Sequence, residues 1–237
     1  MGKNSGIAWT DHTWNPWVGC TKVSKGCENC YMFRDQKRWG NDPTEIRRTA
    51  DKTFMAPSNW QPGYVFVCSW SDFFHEDVPE EWRKDAMQLM NDYPHHCYLL
   101  LTKRPENVLN IIHSSWWEEN PHVWLGVTAE NQEMADLRIP LLLSVPASVR
   151  FVSVEPMIGP VEFDERHILE NGGVQWVIVG GESGAGGRFM DPNWARSIRY
   201  QCAEHGIPFF MKQMTGNTKE KREAIPDDLR YREFPGE

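Results

Sequence analysis

No stretch of this 237-residue chain approaches the roughly 20 consecutive apolar residues that span a bilayer, so a membrane protein is excluded and a soluble, cytoplasmic one expected. Cysteine is scarce. Six cysteines in a chain of this length, with no recognisable secretory signal, argue against a disulfide framework and an oxidising compartment. Positive charge is in deficit too: 25 Lys and Arg against 33 Asp and Glu give a formal charge of -8. Any contact with nucleic acid therefore needs a local patch rather than the net field. There is no internal repeat and no low-complexity tract. The glycine-rich run Gly180-Gly181-Glu182-Ser183-Gly184-Ala185-Gly186-Gly187 lacks the Gly-Lys-Ser/Thr ending of a phosphate-binding loop and is not a dinucleotide fingerprint. Its glycines permit close approach of backbone to a ligand, or simply a flexible connection.

Against that background, three cysteines stand close together. Cys20, Cys27 and Cys30 form a C-x6-C-x2-C loop. Thiolates spaced this closely can converge on one centre, and an iron-sulfur cluster held by three of them leaves one iron open to another ligand. A structural zinc site is the competing reading; it needs a fourth ligand, for which His12 is the nearest upstream candidate. Cys68, Cys97 and Cys202 lie singly in or beside apolar runs and read as packing residues.

The length suits one sizeable domain, and a single α/β barrel commonly has about this size. Short β-type runs recur at Val65–Ser69, Cys97–Thr102, Val123–Thr128, Val149–Val154, Trp176–Gly180 and Ile207–Met211, with helix-type segments between them. The alternation predicts a parallel α/β architecture. Glu80–Tyr93 carries Trp82, Ala86, Met90 and Tyr93 at helical spacing, and Pro105–His113 and Asn131–Leu143 are further candidates. Pro140 is expected to end or kink the last of these. Asp191–His205 reads as a helix with Asp191 as cap, Pro192 in the first turn and Gly206 at its end. The tail from Asn217 onward reads as polar and loosely held, setting it apart from residues 1–216.

Polar groups follow each apolar run: Ser69 to Asp72, Thr102-Lys103-Arg104, Thr128-Ala129-Glu130-Asn131, Glu155-Pro156, Gly181-Glu182-Ser183 and Lys212-Gln213. In a parallel barrel these ends share the rim on which active sites are built. Lys37, Arg38, Arg47, Arg48 and Lys52 form one basic stretch and Lys219, Lys221 and Arg222 another; such runs are usually solvated faces. Of twelve tryptophans most are expected in the core, while Trp14, Trp17, Trp39, Trp60 and Trp70 lie in loop-like sequence where stacking on a base is conceivable.

With these motifs in order, the chain resembles the radical S-adenosylmethionine superfamily, specifically a phage-type branch described as a domain of unknown function. The resemblance runs through Trp14-Asn15-Pro16, Gly19-Cys20, Cys27-Glu28-Asn29-Cys30-Tyr31, Ser71-Asp72-Phe73-Phe74-His75-Glu76, Leu101-Thr102-Lys103-Arg104-Pro105, Leu125-Gly126-Val127-Thr128-Ala129-Glu130-Asn131, Val154-Glu155-Pro156, Gly180-Gly181-Glu182-Ser183-Gly184 and Pro208-Phe209-Phe210-Met211-Lys212-Gln213. The superfamily's usual spacing is C-x3-C-x2-C, whereas the first gap here holds six residues. The resemblance implies a partial (β/α) barrel of roughly six parallel strands in a single domain, with a cluster loop at about residues 14–34. It implies a 4Fe-4S cluster on Cys20, Cys27 and Cys30, and S-adenosylmethionine chelating the fourth iron through its amino and carboxylate groups. Reduction then generates a 5'-deoxyadenosyl radical that abstracts hydrogen from substrate. It further implies cofactor contacts from Ser71, Asp72, Thr102, Thr128 and Glu130, and catalytic or substrate contacts from Lys103, Glu155, Glu182 and Lys212.

Relatives in the branch that the chain resembles occur in phage gene neighbourhoods, and some are associated with thymidine hypermodification in phage DNA. The resemblance therefore implies a radical isomerase that moves the bond of a glycyl adduct from nitrogen to the α carbon, where the intermediate radical is stabilised. Its partners would be a modified nucleotide or phage DNA and a reducing electron donor, in the cytoplasm of an infected host. A base in duplex DNA would have to be flipped out, with Trp39 and Trp70 as candidates to hold it. Two alternatives stand beside this reading: a radical enzyme acting on a free nucleotide or small metabolite, and a noncatalytic zinc-stabilised binding protein.

Overall fold

The computed structural model describes residues 2–3, 5–164 and 172–236. The architecture is α/β, with a sheet ordered β1 (Gly2–Lys3), β2 (His12–Trp14), β5 (Tyr64–Val67), β6 (Cys97–Thr102), β7 (Val123–Thr128), β8 (Arg150–Val154), β9 (Trp176–Gly180) and β10 (Phe209–Gln213). Seven of these strands run parallel, and β1 pairs antiparallel with β2 at the edge. A separate ribbon pairs β3 (Trp17–Val18) with β4 (Arg47–Arg48). All six expected strands form, three of them (β6, β7 and β9) at the expected bounds and the other three with ends shifted by one or two residues. The seventh, β2, escapes the sequence pattern because three residues before Asn15-Pro16 are too few to show alternation.

The chain divides into two compact units. The first comprises Met1–Val23, Met32–Leu125 and Val145–Ser148; the second comprises Ser24–Tyr31, Gly126–Ser144 and Val149–Glu237.

In the first unit β5 and β6 are almost wholly buried, in keeping with parallel strands covered on both faces. Trp14 and Trp17, two of the candidate base-stacking residues, belong to this core, with the Trp14 indole donating to the Phe54 carbonyl at 2.9 Å. Cys68 follows β5 with φ at +62°, a left-handed conformation uncommon outside glycine. It turns the chain sharply into the run Ser69 to Asp72. Asn15 anchors that turn, accepting from the Trp70 N–H at 2.8 Å and donating to the Ser69 hydroxyl at 3.0 Å. The helix Glu80–Asp92 forms as expected, whereas Pro105–His113 splits into a 3-10 turn at Pro105–Asn107 and a short helix at Val108–Ile111.

His96 is buried in this unit, its Nε2 at 3.0 Å from the Pro57 carbonyl and its ring 5.9 Å from that of His12. Burial lowers its pKa; the Pro57 carbonyl opposes the shift, and the neighbouring His95 and His12 add to it. Between the lowered folded value and the unfolded value near 6.5, the unfolded chain binds more protons. Stability is therefore full above about pH 6.5 and falls as the pH drops below it. The urea midpoint is expected to be lower at pH 5.5 than at 7.5, with a smaller difference in His96→Gln. An equal pH dependence in that variant would remove His96 as the cause.

In the second unit the helix Gln132–Leu143 is capped by Asn131, whose side chain accepts from the Met134 N–H, and it continues through Pro140 rather than ending there. Pro140 has no N–H to offer the Asp136 carbonyl, and both residues lie on the exposed side of the helix. The helix Pro192–His205 has the expected Asp191 cap and Gly206 in left-handed conformation at its end, and packs against β10.

The segment after residue 217 is tied down rather than loose. Leu229 is fully buried, the Met211 N–H donates to the Tyr231 carbonyl, and the Trp176 indole donates to the Glu233 carbonyl at 2.9 Å. The Phe234 ring lies 5.2 Å from Trp176 and 5.4 Å from Phe210. Its few apolar residues are scattered among charges, so the segment reads as polar although those residues are its anchors.

Candidate functional site

In the first unit, the residues following β5 and β6 converge on Cys20. The Ser71 hydroxyl donates to the Gly19 carbonyl at 2.6 Å, and the Gly19 N–H donates to the Trp70 carbonyl. Asp72 is 5% exposed and its carboxylate is taken up internally. Oδ1 accepts from the Phe74 N–H and the Thr102 hydroxyl, and Oδ2 from the Lys103 N–H. Thr102 in turn accepts from the Arg104 N–H. Ser71, Asp72 and Thr102, expected as cofactor contacts, thus brace the strand ends and the approach to Cys20.

Arg104 is the centre of this arrangement and was not among the expected site residues. It is 2% exposed, bonds Glu76 through Nε at 3.0 Å, and lies 3.5 Å from Asp72. Nη2 donates to the Thr21 hydroxyl and carbonyl, and Nη1 to Cys20 Sγ at 3.7 Å. Burial opposes its charge, but Asp72, Cys20 and Glu76 more than compensate and raise its pKa. His75, fully buried, meets the Thr21 hydroxyl at 3.0 Å; burial and then Arg104 lower its pKa. The Lys103 side chain is half-buried and makes no hydrogen bond or ion pair among the described residues.

In the second unit, the segment carrying Cys27 and Cys30 is held by two buried carboxylates. Glu130 is fully buried; Oε1 accepts from the Gly26 N–H at 3.1 Å and Oε2 pairs with Arg138 at 2.8 Å. Glu182 accepts from Asn29 at 3.0 Å and from Arg188 through its backbone N–H, Nε and Nη2. Arg188 also donates to the Lys25 carbonyl and to Glu28, both at 2.9 Å. Burial raises the Glu182 pKa, yet the Arg188 and Asn29 bonds outweigh it and leave the carboxyl below its usual range. The glycine-rich run thus supplies a clamp on the cysteine segment through Glu182 and, just after it, Arg188.

The sheet face of the second unit carries a second group. Strand alternation puts Phe151, Ser153 and Glu155 on one face, with Trp176 and Ile178 paired beside the first two. Glu155 and Lys212 form a half-buried ion pair at 2.5 Å. A register shift between Met211 and Gln213 leaves Lys212 outside the one-to-one pairing, which re-aims its side chain. Thr128 and Ser153 have fully buried hydroxyls with no partner among the described residues. They lie next to each other, since the Ala129 N–H donates to the Ser153 carbonyl.

All six cysteines are free thiols. Burial pushes Cys97 up strongly and Cys202 up to about 12, and it raises Cys68 well above the ordinary range, in keeping with their expected packing role. Among the described residues, no three His, Cys, Asp or Glu side chains are assembled into a group able to hold a metal ion. His12, the nearest upstream candidate for a fourth zinc ligand, has Nε2 at 3.0 Å from the Gln61 carbonyl and its ring stacked on Trp60, while its buried Nδ1 has no hydrogen-bond partner among the described residues. Trp39 is 54% exposed and packs on Trp70, ring centroids 5.0 Å apart. In the basic stretch Arg47 is paired with Glu45, and Arg48 with Asp51.

No helix among the described residues is long and apolar enough to cross a membrane. Comparison with curated proteins and with solved structures returned no match. A family model described as "Protein of unknown function (DUF5131)" matches residues 4–236, nearly the whole length, and the chain belongs to that family.

Proposed function

We propose that this protein is a radical S-adenosylmethionine enzyme with a partial-barrel scaffold, in which Cys20, Cys27 and Cys30 hold a 4Fe-4S cluster. One observation carries the reading: three buried charged residues, Arg104, Glu130 and Glu182, are committed to holding a short segment whose distinctive chemistry is three free thiols. Buried charges cost folding free energy unless they are paired. A cation placed on one thiol suits a thiolate ligand, and the three soft sulfur donors suit iron-sulfur.

Cys20, Cys27 and Cys30 would hold the cluster, which together with S-adenosylmethionine would supply radical chemistry for hydrogen-atom abstraction from substrate. The chain's own residues bind and orient. Thr128 and Ser153 offer hydroxyls that a bound ligand's polar groups would satisfy. Lys103 offers a point charge for a carboxylate or phosphate. Glu155 and Lys212 together can hold a zwitterionic amino-acid group, the carboxylate facing its ammonium and the ammonium its carboxylate. That pair fits a glycyl group, and the substrate we favour is a glycyl adduct of thymidine in DNA, isomerised from nitrogen- to carbon-linked, with an external one-electron donor. The net acidity and the ion pairs within the basic stretch favour a second reading, in which the substrate is a free nucleotide or small metabolite.

The test is anaerobic reconstitution with iron and sulfide, followed by assay of 5'-deoxyadenosine formed from S-adenosylmethionine and dithionite. Product is expected with the wild type and not with Cys27→Ala. Stoichiometric zinc, no iron and no product would overturn the enzyme. Thr128→Val removes an unpartnered buried hydroxyl, so stability should hold or rise while S-adenosylmethionine binds several-fold more weakly, for a lost bond of about 1 kcal/mol.

A further inference from the structure

Trp39 leaves 54% of its surface in water, and its ring lies 5.0 Å from that of the half-buried Trp70. Both belong to the first unit and stand on fixed backbone. Trp39 follows the helix Tyr31–Arg38, its N–H bonded to the Asp35 and Gln36 carbonyls, and Gly40 in left-handed conformation turns the chain so that the Asn41 N–H returns to Gln36. Trp70, just beyond β5, is held at its N–H by the Asn15 side chain and at its carbonyl by the Gly19 N–H. Lys37 and Arg38, immediately before Trp39, are exposed and form no ion pair among the described residues. The acidic side chains of the same stretch are engaged elsewhere, Asp35 with Arg34, Asp42 with Thr44 and Glu45 with Arg47. Cations in the last turn of a helix complement its dipole, which accounts for Lys37 and Arg38 without any ligand. It does not account for the exposed indole.

We propose that Trp39, backed by Trp70 and flanked by Lys37 and Arg38, is a docking surface for single-stranded DNA. An aromatic ring on a rigid support beside uncommitted positive charge binds an unpaired nucleotide, because the base stacks on the ring while the phosphates meet the cations. A duplex does not fit. Its bases are stacked on one another and offer the indole no face, and a chain of net charge -8 meets its two phosphate backbones with only this local patch. The patch supplies a ring face and charge, which an unpaired DNA strand satisfies without the 2'-hydroxyl that marks RNA. The inference needs no metal and no cysteine. It bears on the function proposed above only by favouring a base in DNA over a free nucleotide as substrate.

The experiment titrates the full chain, without reconstitution, into a fluorescein-labelled oligothymidylate of about 12 nucleotides and reads anisotropy over a salt series. The matching duplex, the matching RNA and an abasic strand of the same length serve as comparisons. Oligothymidylate is expected to bind more tightly than any of these, with an affinity that falls as salt rises. Trp39→Ala should weaken it about tenfold and leave the abasic strand unaffected, while Trp39→Phe, which keeps a ring, retains most of the affinity. Lys37→Gln with Arg38→Gln should reduce the slope of log affinity against log salt by about 1.4, at about 0.7 per phosphate of a single strand. Circular dichroism confirms that each variant is folded. A wild type that binds no single strand at low salt, that binds the duplex or the RNA at least as tightly, or that is indifferent to Trp39→Ala would overturn the proposal. Dimers dispersed by Trp39→Ala, with no oligonucleotide bound, would assign the patch to a second copy of the chain and overturn it as well. Binding that depends on Trp39 stands whether or not 5'-deoxyadenosine is formed, and its absence leaves the radical reading intact with a free nucleotide or metabolite as substrate.

Discussion

Glu130→Ala is expected to lower the stability of this protein by about 3–5 kcal/mol, since it breaks a buried ion pair from one side. Glu130 is fully buried and Arg138 only 3% exposed, so neither charge has water to fall back on. With the carboxylate gone, Arg138 keeps its bond to the Thr128 carbonyl but loses its counter-charge, and the Gly26 N–H loses its acceptor. Glu130→Gln retains an oxygen for Gly26 and should cost less. Removing both partners in Glu130→Ala with Arg138→Met should recover much of the loss, because the penalty lies chiefly in the stranded charge. Urea denaturation of the single and double variants measures this coupling, and a single-variant loss below about 1 kcal/mol would show that the pair behaves as an exposed one. On the proposed cluster reading, the same substitution should also reduce iron retained after reconstitution, because Gly26 immediately precedes Cys27.

The reach of that contact explains what the sequence conveys and what it withholds. Gly26 and Glu130 are 104 positions apart, and no local pattern ties a glycine in a cysteine loop to one carboxylate among the 33 acidic residues. The strands are legible because Trp176–Gly180 and Arg150–Val154 are buried at every position, and runs dominated by apolar, β-branched and aromatic residues announce that burial even where Arg150 and Ser153 interrupt one. β2 is illegible because three residues carry no period. Pro140 misleads because its disruptive effect depends on which side of the helix meets water, which only the folded chain decides.

The site divides in the same manner. The cysteine spacing and the polar strand ends are visible as residue types, so Asp72, Glu130 and Glu182 are found, but their partners are not. Expected as ligand or substrate contacts, they are seen to make hydrogen bonds to the cysteine segment and the strand ends. Arg104 stands in a strand end counted as rim, but the sequence offers nothing to single it out from its neighbour Lys103. Only its 2% exposure and its contact with Cys20 reveal it. The signal that could have found it is its place beside Thr102 and Lys103, in a strand end already counted as rim.

Gly19→Ala should be damaging on two independent grounds, and Gly40→Ala separates them. Gly19 has φ at +104°, and a Cβ there would fall on the Glu45 carbonyl oxygen, with the Ile46 Cα 3.2 Å away. Both obstacles are backbone, brought alongside by the pairing of Trp17 with Arg48 and Val18 with Arg47, so no side-chain rotation relieves the clash. Gly19 is also tied at its N–H to Trp70 and at its carbonyl to Ser71, which limits how far it can retreat. Gly40 has φ at +75° with nothing within 4 Å of its virtual Cβ. Gly40→Ala therefore carries only the conformational penalty, about 1–2 kcal/mol, whereas Gly19→Ala adds displacement of the β3–β4 ribbon, for a total of about 3 kcal/mol or more. Because Cys20 follows directly, a shift that relieves the clash disturbs its contact with Arg104, and on the proposed cluster reading iron retention should fall in Gly19→Ala and hold in Gly40→Ala. Thermal denaturation and iron per chain, measured on both variants, decide the matter. Equal losses in the two would mean that the contact with Glu45 relaxes freely and that the approach to Cys20 is not held by the ribbon.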